Sequence, residues 1–95
     1  MAWRTTEKAN IDLDLIAEAG VLAFGERHAR NYLGTIFDMF DTLAAYPDLA
    51  VERRSARGFV RLMPCEAHHI LYAVEDGDVV ILRVLHGLQN WFDLL

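Results

Sequence analysis

Residues 68–86 read HHILYAVEDGDVVILRVLH, two strongly apolar, β-branched runs on either side of Asp76-Gly77. Asp-Gly readily takes the positive φ angles that a tight hairpin turn requires, so the two runs must lie side by side and antiparallel. No other short stretch constrains the fold so firmly. The second run is apolar at both parities except at Arg83, which means that both faces of the sheet it joins need cover. Upstream, GFVRLM (58–63) alternates loosely and stops at Pro64, giving a third strand and a three-stranded antiparallel meander.

Before the meander the hydrophobic period changes. Ala9, Leu13, Ile16, Gly20 and Ala23 fall at i, i+4, i+7, i+11 and i+14, one stripe along a helix. Thr5 or Thr6 can cap its start, and Phe24-Gly25 ends it. From Glu26 the period resumes through Ala29, Tyr32, Leu33, Ile36, Phe40 and Leu43, and it stops at Tyr46-Pro47, where proline disfavours a helical residue before it. Two helices joined so tightly form an antiparallel hairpin. MAWRTT fits a short opening strand. The predicted order is β-α-α-β-β-β, an α+β fold in which a helical hairpin covers one face of a small antiparallel sheet.

At 95 residues the chain makes a single domain, 1–95, with room for a core that needs neither metal nor disulfide. Its 54% hydrophobic content argues against disorder, and the apolar runs are too short and too often interrupted by charge to cross a bilayer. No signal peptide is visible, since Trp3 and Arg4 are followed by polar residues, and the lone Cys65 points to a reducing cytoplasm. Net charge is −5, which leans against binding nucleic acid through its phosphates. The basic residues are clustered all the same: Arg53, Arg54, Arg57 and Arg61 fall within nine residues that contain no acid. Such a patch on an acidic protein suits an acidic protein surface, or a small RNA footprint, better than long duplex DNA.

The order of elements, a helix TEKANIDLDLIAEAGVLAFG, a second helix ERHARNYLGTIFDMFDTLAAYPDL, then RGFVRL and above all ILRVLHG after a Tyr-containing strand and an Asp-Gly turn, resembles the ParE-type toxins of the RelE/ParE superfamily nearly end to end. The resemblance implies the toxic half of a type II toxin–antitoxin module, with a role in plasmid stabilisation. It also implies a hetero-oligomer with a ParD-like antitoxin whose C-terminal segment wraps the toxin. ParE-type members typically act on DNA gyrase, whereas the RelE branch cleaves ribosome-bound mRNA. Fold does not separate the two branches. Neither specific DNA binding by the toxin alone, nor a cofactor, nor a membrane association is expected.

The residues bear on the choice. Metal-free RNA cleavage needs a base for the 2′-hydroxyl, an acid for the leaving oxygen and cations for the phosphorane. Arg61, Arg83 and His86 can supply cations and one acid–base group. No lysine follows Lys8, however, Leu88 stands after His86-Gly87 where an arginine is common in both branches, and the tail NWFDLL has no tyrosine. An apolar tail favours a protein target, with Arg57, Arg61, Arg83, His86 and Trp91 as the contact residues. Each has a plainer reading. His86 at a strand end can simply serve a carbonyl, Arg83 can face solvent beside the Arg61 strand, the Arg53–Arg61 run can be a solvated loop and edge strand, and Trp91 can cap a core. Parity puts Arg83 and His86 on opposite faces of a regular strand, so a bulge or the strand end must re-aim one before they share a site. His68 and His69 are adjacent and point oppositely, without metal-ligand spacing.

Overall fold

The computed structural model describes residues 2–87 and 89–95, so Leu88 lies outside the described residues. Among them the chain runs β1 (Trp3–Thr5), α1 (Glu7–Phe24), α2 (Glu26–Ala45), β2 (Glu52–Ser55), β3 (Gly58–Cys65), β4 (His68–Glu75), β5 (Asp78–His86) and α3 (Trp91–Leu94). Both helices end within about one residue of their expected limits. Thr6 is the cap of α1, its Oγ1 accepting the Ala9 amide at 3.1 Å while donating to the Leu82 carbonyl at 2.8 Å, which also ties the helix start to β5. Gly25, at φ 90°, is at once the end of α1 and the start of α2. That left-handed value lets the chain reverse without a loop.

The sheet is mixed and five-stranded, in the order β1-β5-β4-β3-β2. β1 runs parallel to β5, and the other pairs are antiparallel. The β4–β5 turn has φ 52° at Asp76 and 80° at Gly77, as the Asp-Gly pair requires. Two features depart from the expected order. Glu52–Ser55 forms a strand although ERRS has no β-branched or aromatic residue, because β3 would otherwise leave its backbone edge unpaired and Ser55 Oγ closes the turn on the Gly58 carbonyl at 2.6 Å. β3 also runs through Pro64 to Cys65. Since β2 pairs only as far as Arg61, Pro64 lies on an open edge, where its missing amide hydrogen costs no ladder bond.

One irregularity governs the core. In β5 the pairing steps from Tyr72↔Ile81 to Leu71↔Arg83, leaving Leu82 as an extra residue. This bulge reverses the parity of the residues beyond it. Val79 and Ile81 before it, and Val84 after it, all reach the helix-side core with Phe40, Ile36, Leu43, Ile70 and Tyr72. Leu85 joins Val60, Leu62 and Leu71 on the other face. The apolar pattern of β5 calls for a partner's cover on that second face; the chain's own tail supplies part of it, Trp91 and Leu95 packing there with Leu82. At the opposite corner Trp3 stacks near Phe37 and Phe40 and donates its indole N–H to Asp41 at 2.8 Å, fixing β1 to α2.

Candidate functional site

The apolar stripe of α1 meets the sheet only along its first half. Ala9 and Leu13 are buried, Ile16 and Gly20 half-buried, and Ala23 exposed. The tip of the helical hairpin therefore stands clear of the sheet, although the two helices stay in close touch: a Cβ at Gly20 would lie 3.1 Å from that of Ala29. Between the hairpin and the ends of β4 and β5 opens a groove of about 720 Å³. Leu15, Ile16, Ala23, Phe24 and Val84 give it apolar walls, and Tyr32, His68, His86 and Gln89 give it a polar end. Leu15 and Phe24 are 58% and 70% exposed, values that matter because bulky apolar side chains seldom cluster so openly on a helix without a partner.

At the polar end, Tyr32 Oη lies 2.6 Å from His68 Nδ1 and accepts the Ala67 amide at 3.1 Å. The phenol has one proton; given to Nδ1, it leaves His68 neutral with its own proton on Nε2. Burial, then the neighbouring His86 ring, hold the His68 pKa below the usual imidazole range, which favours that neutral form. Burial likewise pushes the Tyr32 phenol up. The His68 and His86 rings meet edge to face at 5.5 Å, since β4 and β5 pair these residues directly. The His86 amide donates to Gln89 Oε1 at 2.7 Å, and the Gly87 amide donates to the Ala67 carbonyl at 2.8 Å, closing the strand end.

The two arginines are engaged inside the molecule. Arg83 faces away from the helices by parity, yet its guanidinium curls round the β5 edge just beyond the point where β1 ends. It makes two bonds to Asp12, Nε to Oδ2 at 2.7 Å and Nη2 to Oδ1 at 2.9 Å, and a third from Nη1 to the Leu94 carbonyl at 2.8 Å. Asp12 Oδ2 also accepts the Val84 amide at 3.0 Å, standing in for the strand partner that β5 lacks there. The hydrogen bonds to Asp12 raise the Arg83 pKa further. Arg61 donates to the Ala50 carbonyl at 2.6 Å and lies 3.7 Å from Asp48, while buried Tyr72 accepts the Ala50 amide and donates to the Pro47 carbonyl at 2.7 Å. These two residues hold the 46–51 loop.

Arg61, Arg83 and His86 are consequently not gathered into one constellation. Arg61 pairs with Tyr72 and His86 with His68, four residues further along β4, a separation of about 13 Å along the strand. Arg83 and His86 do border the same groove, because the guanidinium turns the sheet edge. Arg57 sits exposed in the β2–β3 turn and Trp91 is half-buried on the second sheet face. Sequence reasoning passed over Asp12, Tyr32 and the partnership of His68. A signal for Asp12 exists: a lone arginine in an apolar strand requires an acid, and Asp12 is the acid beside the apolar stripe of α1.

A profile described as the ParE toxin of the type II toxin–antitoxin system parDE matches residues 4–91. The chain belongs to the ParE toxin family. This ParE-type toxin is 32% identical over 85 residues to Toxin ParE3 of Caulobacter vibrioides, covering 90% of this chain and 85% of that protein. Among solved structures it is similar to the chromosomal ParDE toxin–antitoxin system from P. aeruginosa, with a TM-score of 0.78 and 25% identity over 90% of this chain and 95% of that one. The helical hairpin on a five-stranded sheet is thus the architecture of the family, and no helix among the described residues is long and apolar enough to cross a membrane.

Proposed function

We propose that this ParE-type toxin inhibits DNA gyrase in the cytoplasm without catalysing a reaction, and that a ParD-type antitoxin neutralises it by laying an amphipathic segment into the groove between α1, α2 and the strand ends. The groove carries the antitoxin half of this reading: it is open, largely apolar, and bordered by exposed Leu15 and Phe24, as a helix-in-groove site is. The similarity to a ParDE system supports the same partner class. The commitment of Arg61 and Arg83 to internal oxygens supports a non-catalytic toxin, since cations already paired with Asp12 and backbone carbonyls are poorly placed to stabilise a phosphorane. Of the five proposed target contacts, Arg57, His86 and Trp91 keep solvent-facing surface, while Arg61 and Arg83 act by shaping the loops and tail around them.

The test uses the antitoxin-free protein in two reactions, gyrase supercoiling and translation on ribosomes. Gyrase inhibition with translation untouched is the expected result. Cleavage of ribosome-bound mRNA would replace the proposal with an endonuclease centred on the Tyr32–His68–His86 end of the groove. Replacing His86 by Gln separates the two readings again: an inhibitor keeps its potency within a small factor, whereas losing general acid–base help costs roughly 10²–10⁴-fold.

A further inference from the structure

β2 is the last strand of the sheet, so one side of it pairs with β3 and the other meets no further strand among the described residues. In an antiparallel pair every second residue bonds to its neighbour, and the alternate residues turn their N–H and C=O groups outward. The outer side of Glu52–Ser55 is therefore a short, ready backbone template. Its side chains are unusual for a protein of net charge −5. Arg53 and Arg54 project to opposite faces of the strand, Arg57 stands at the hairpin tip, all three are exposed, and none forms an ion pair among the described residues. Close by lie exposed apolar groups, Val51 at 71% next to the strand and Phe59 at 63% opposite Arg54, whose guanidinium is 6.0 Å above the Phe59 ring. Arginine and aromatic side chains are the residue types that most often anchor protein interfaces.

We infer that the open edge of β2 is a docking strand for an extended, acidic peptide segment of another protein. Backbone pairing would supply the register, and acids on the incoming strand would meet Arg53 on one face and Arg54 on the other. Charges on an edge strand normally keep sheets from joining indiscriminately. Here the same charges admit a strand of opposite sign and repel a second copy of the basic hairpin. A single-stranded RNA would want a bare aromatic face on which to stack a base. Phe59, the aromatic of this hairpin, has the Arg54 guanidinium over its ring, and the backbone edge has no use in RNA binding. The partner is thus read as peptide. This inference concerns an edge remote from the groove and does not depend on gyrase being the target.

Random peptides displayed on phage would be selected on the full-length protein, with counter-selection on the Arg53→Glu/Arg57→Glu variant to discard those that take the groove. Both positions are exposed, so circular dichroism should show the variant folded. The expected peptides are rich in Asp and Glu, lose about tenfold or more in affinity for the variant and weaken as salt rises. In the complex, alternate β2 amides should become protected from solvent exchange. Peptides without acidic enrichment, unprotected β2 amides, or failure to select any peptide would overturn the inference. So would an oligouridylate that binds the same variant-sensitive patch more tightly than the best peptide. Gyrase supercoiling is measured on the same samples, because a protein that binds acidic strands yet leaves gyrase untouched sinks only the earlier proposal.

Discussion

Arg83 is the one charge in the apolar interior of β5, and its chemistry is decided by Asp12, 71 residues away in the chain. The pair is largely buried, with side-chain exposures of 17% and 9%, and each group would be left uncompensated without the other. Asp12→Ala is expected to destabilise the protein by about 3–5 kcal/mol, a large share of the ~5–15 kcal/mol that holds a domain of this size. Urea unfolding monitored by tryptophan fluorescence would measure it. Asp12→Leu combined with Arg83→Met should be less harmful than Asp12→Ala alone, since no buried charge is stranded, although the Val84 amide still loses its acceptor. Gly87 is a second residue-scale constraint. A Cβ there would sit 3.3 Å from the Ala67 carbonyl and 3.5 Å from the His69 ring, so Gly87→Ala forces that turn to give by a few tenths of an ångström, and a loss of about 1 kcal/mol is the expected outcome. His68 adds a pH dependence. Its folded pKa lies below the usual ~6.5, so the unfolded chain binds the extra proton first. Stability is full above pH ~6.5 and falls as pH drops through that value toward the lowered folded pKa. His68→Gln should flatten the melting temperature across that window, and a profile as steep as that of the parent protein would remove His68 as the cause.

At the scale of elements the tail and the helical hairpin behave differently. α3 is only four residues long, has no side-chain cap, and is held by Trp91 and Leu95 against the second sheet face and by the Arg83 bond to the Leu94 carbonyl. Trp91 is half-buried, so Trp91→Ala should lower the melting temperature by only a few degrees, less than the ~3–5 kcal/mol cost of emptying a fully buried site. If Trp91 also touches the target, gyrase inhibition should fall while antitoxin binding persists. Unfolding of the variant would instead make the tail part of the core. The hairpin is packed at its base through Ala9, Leu13, Ile36 and Phe40 but open at its tip, and this contrast makes the groove.

For the whole molecule, the uneven cover of apolar surface is the feature with consequences. The second sheet face is partly capped by the chain itself, whereas Ile11, Leu15, Leu22 and Phe24 on α1 stay exposed. Free toxin should therefore self-associate or bind a hydrophobic dye, and a cognate antitoxin should abolish both. Light scattering and dye fluorescence with and without the antitoxin would check this. A toxin that is monodisperse and dye-silent on its own would mean that the groove is not a partner site.

The local grammar of the chain settled a good deal. Asp76-Gly77 fixed the β4–β5 hairpin because this pair readily takes positive φ at both positions, the turn whose twist matches that of two right-twisted strands. Thr6, Gly25 and Tyr46-Pro47 set the ends of both helices, since capping and stereochemistry act over a few residues. The order of elements and the HG ending were enough to point to the ParE family. Tertiary structure alone decided the rest. ERRS became a strand because β3 offered an edge, and the bulge at Leu82, just past the last residue of β5 that pairs with β1, is a matter of sheet register that the apolar run of β5 does not announce. The same bulge put Val84 in one core and Leu85 in the other. Asp12 with Arg83, and Tyr32 with His68, are pairs 71 and 36 residues apart, joined by sheet register and helix docking. Periodicity tells which side of an element is apolar, but it carries no information about which distant polar group will stand opposite a given side chain.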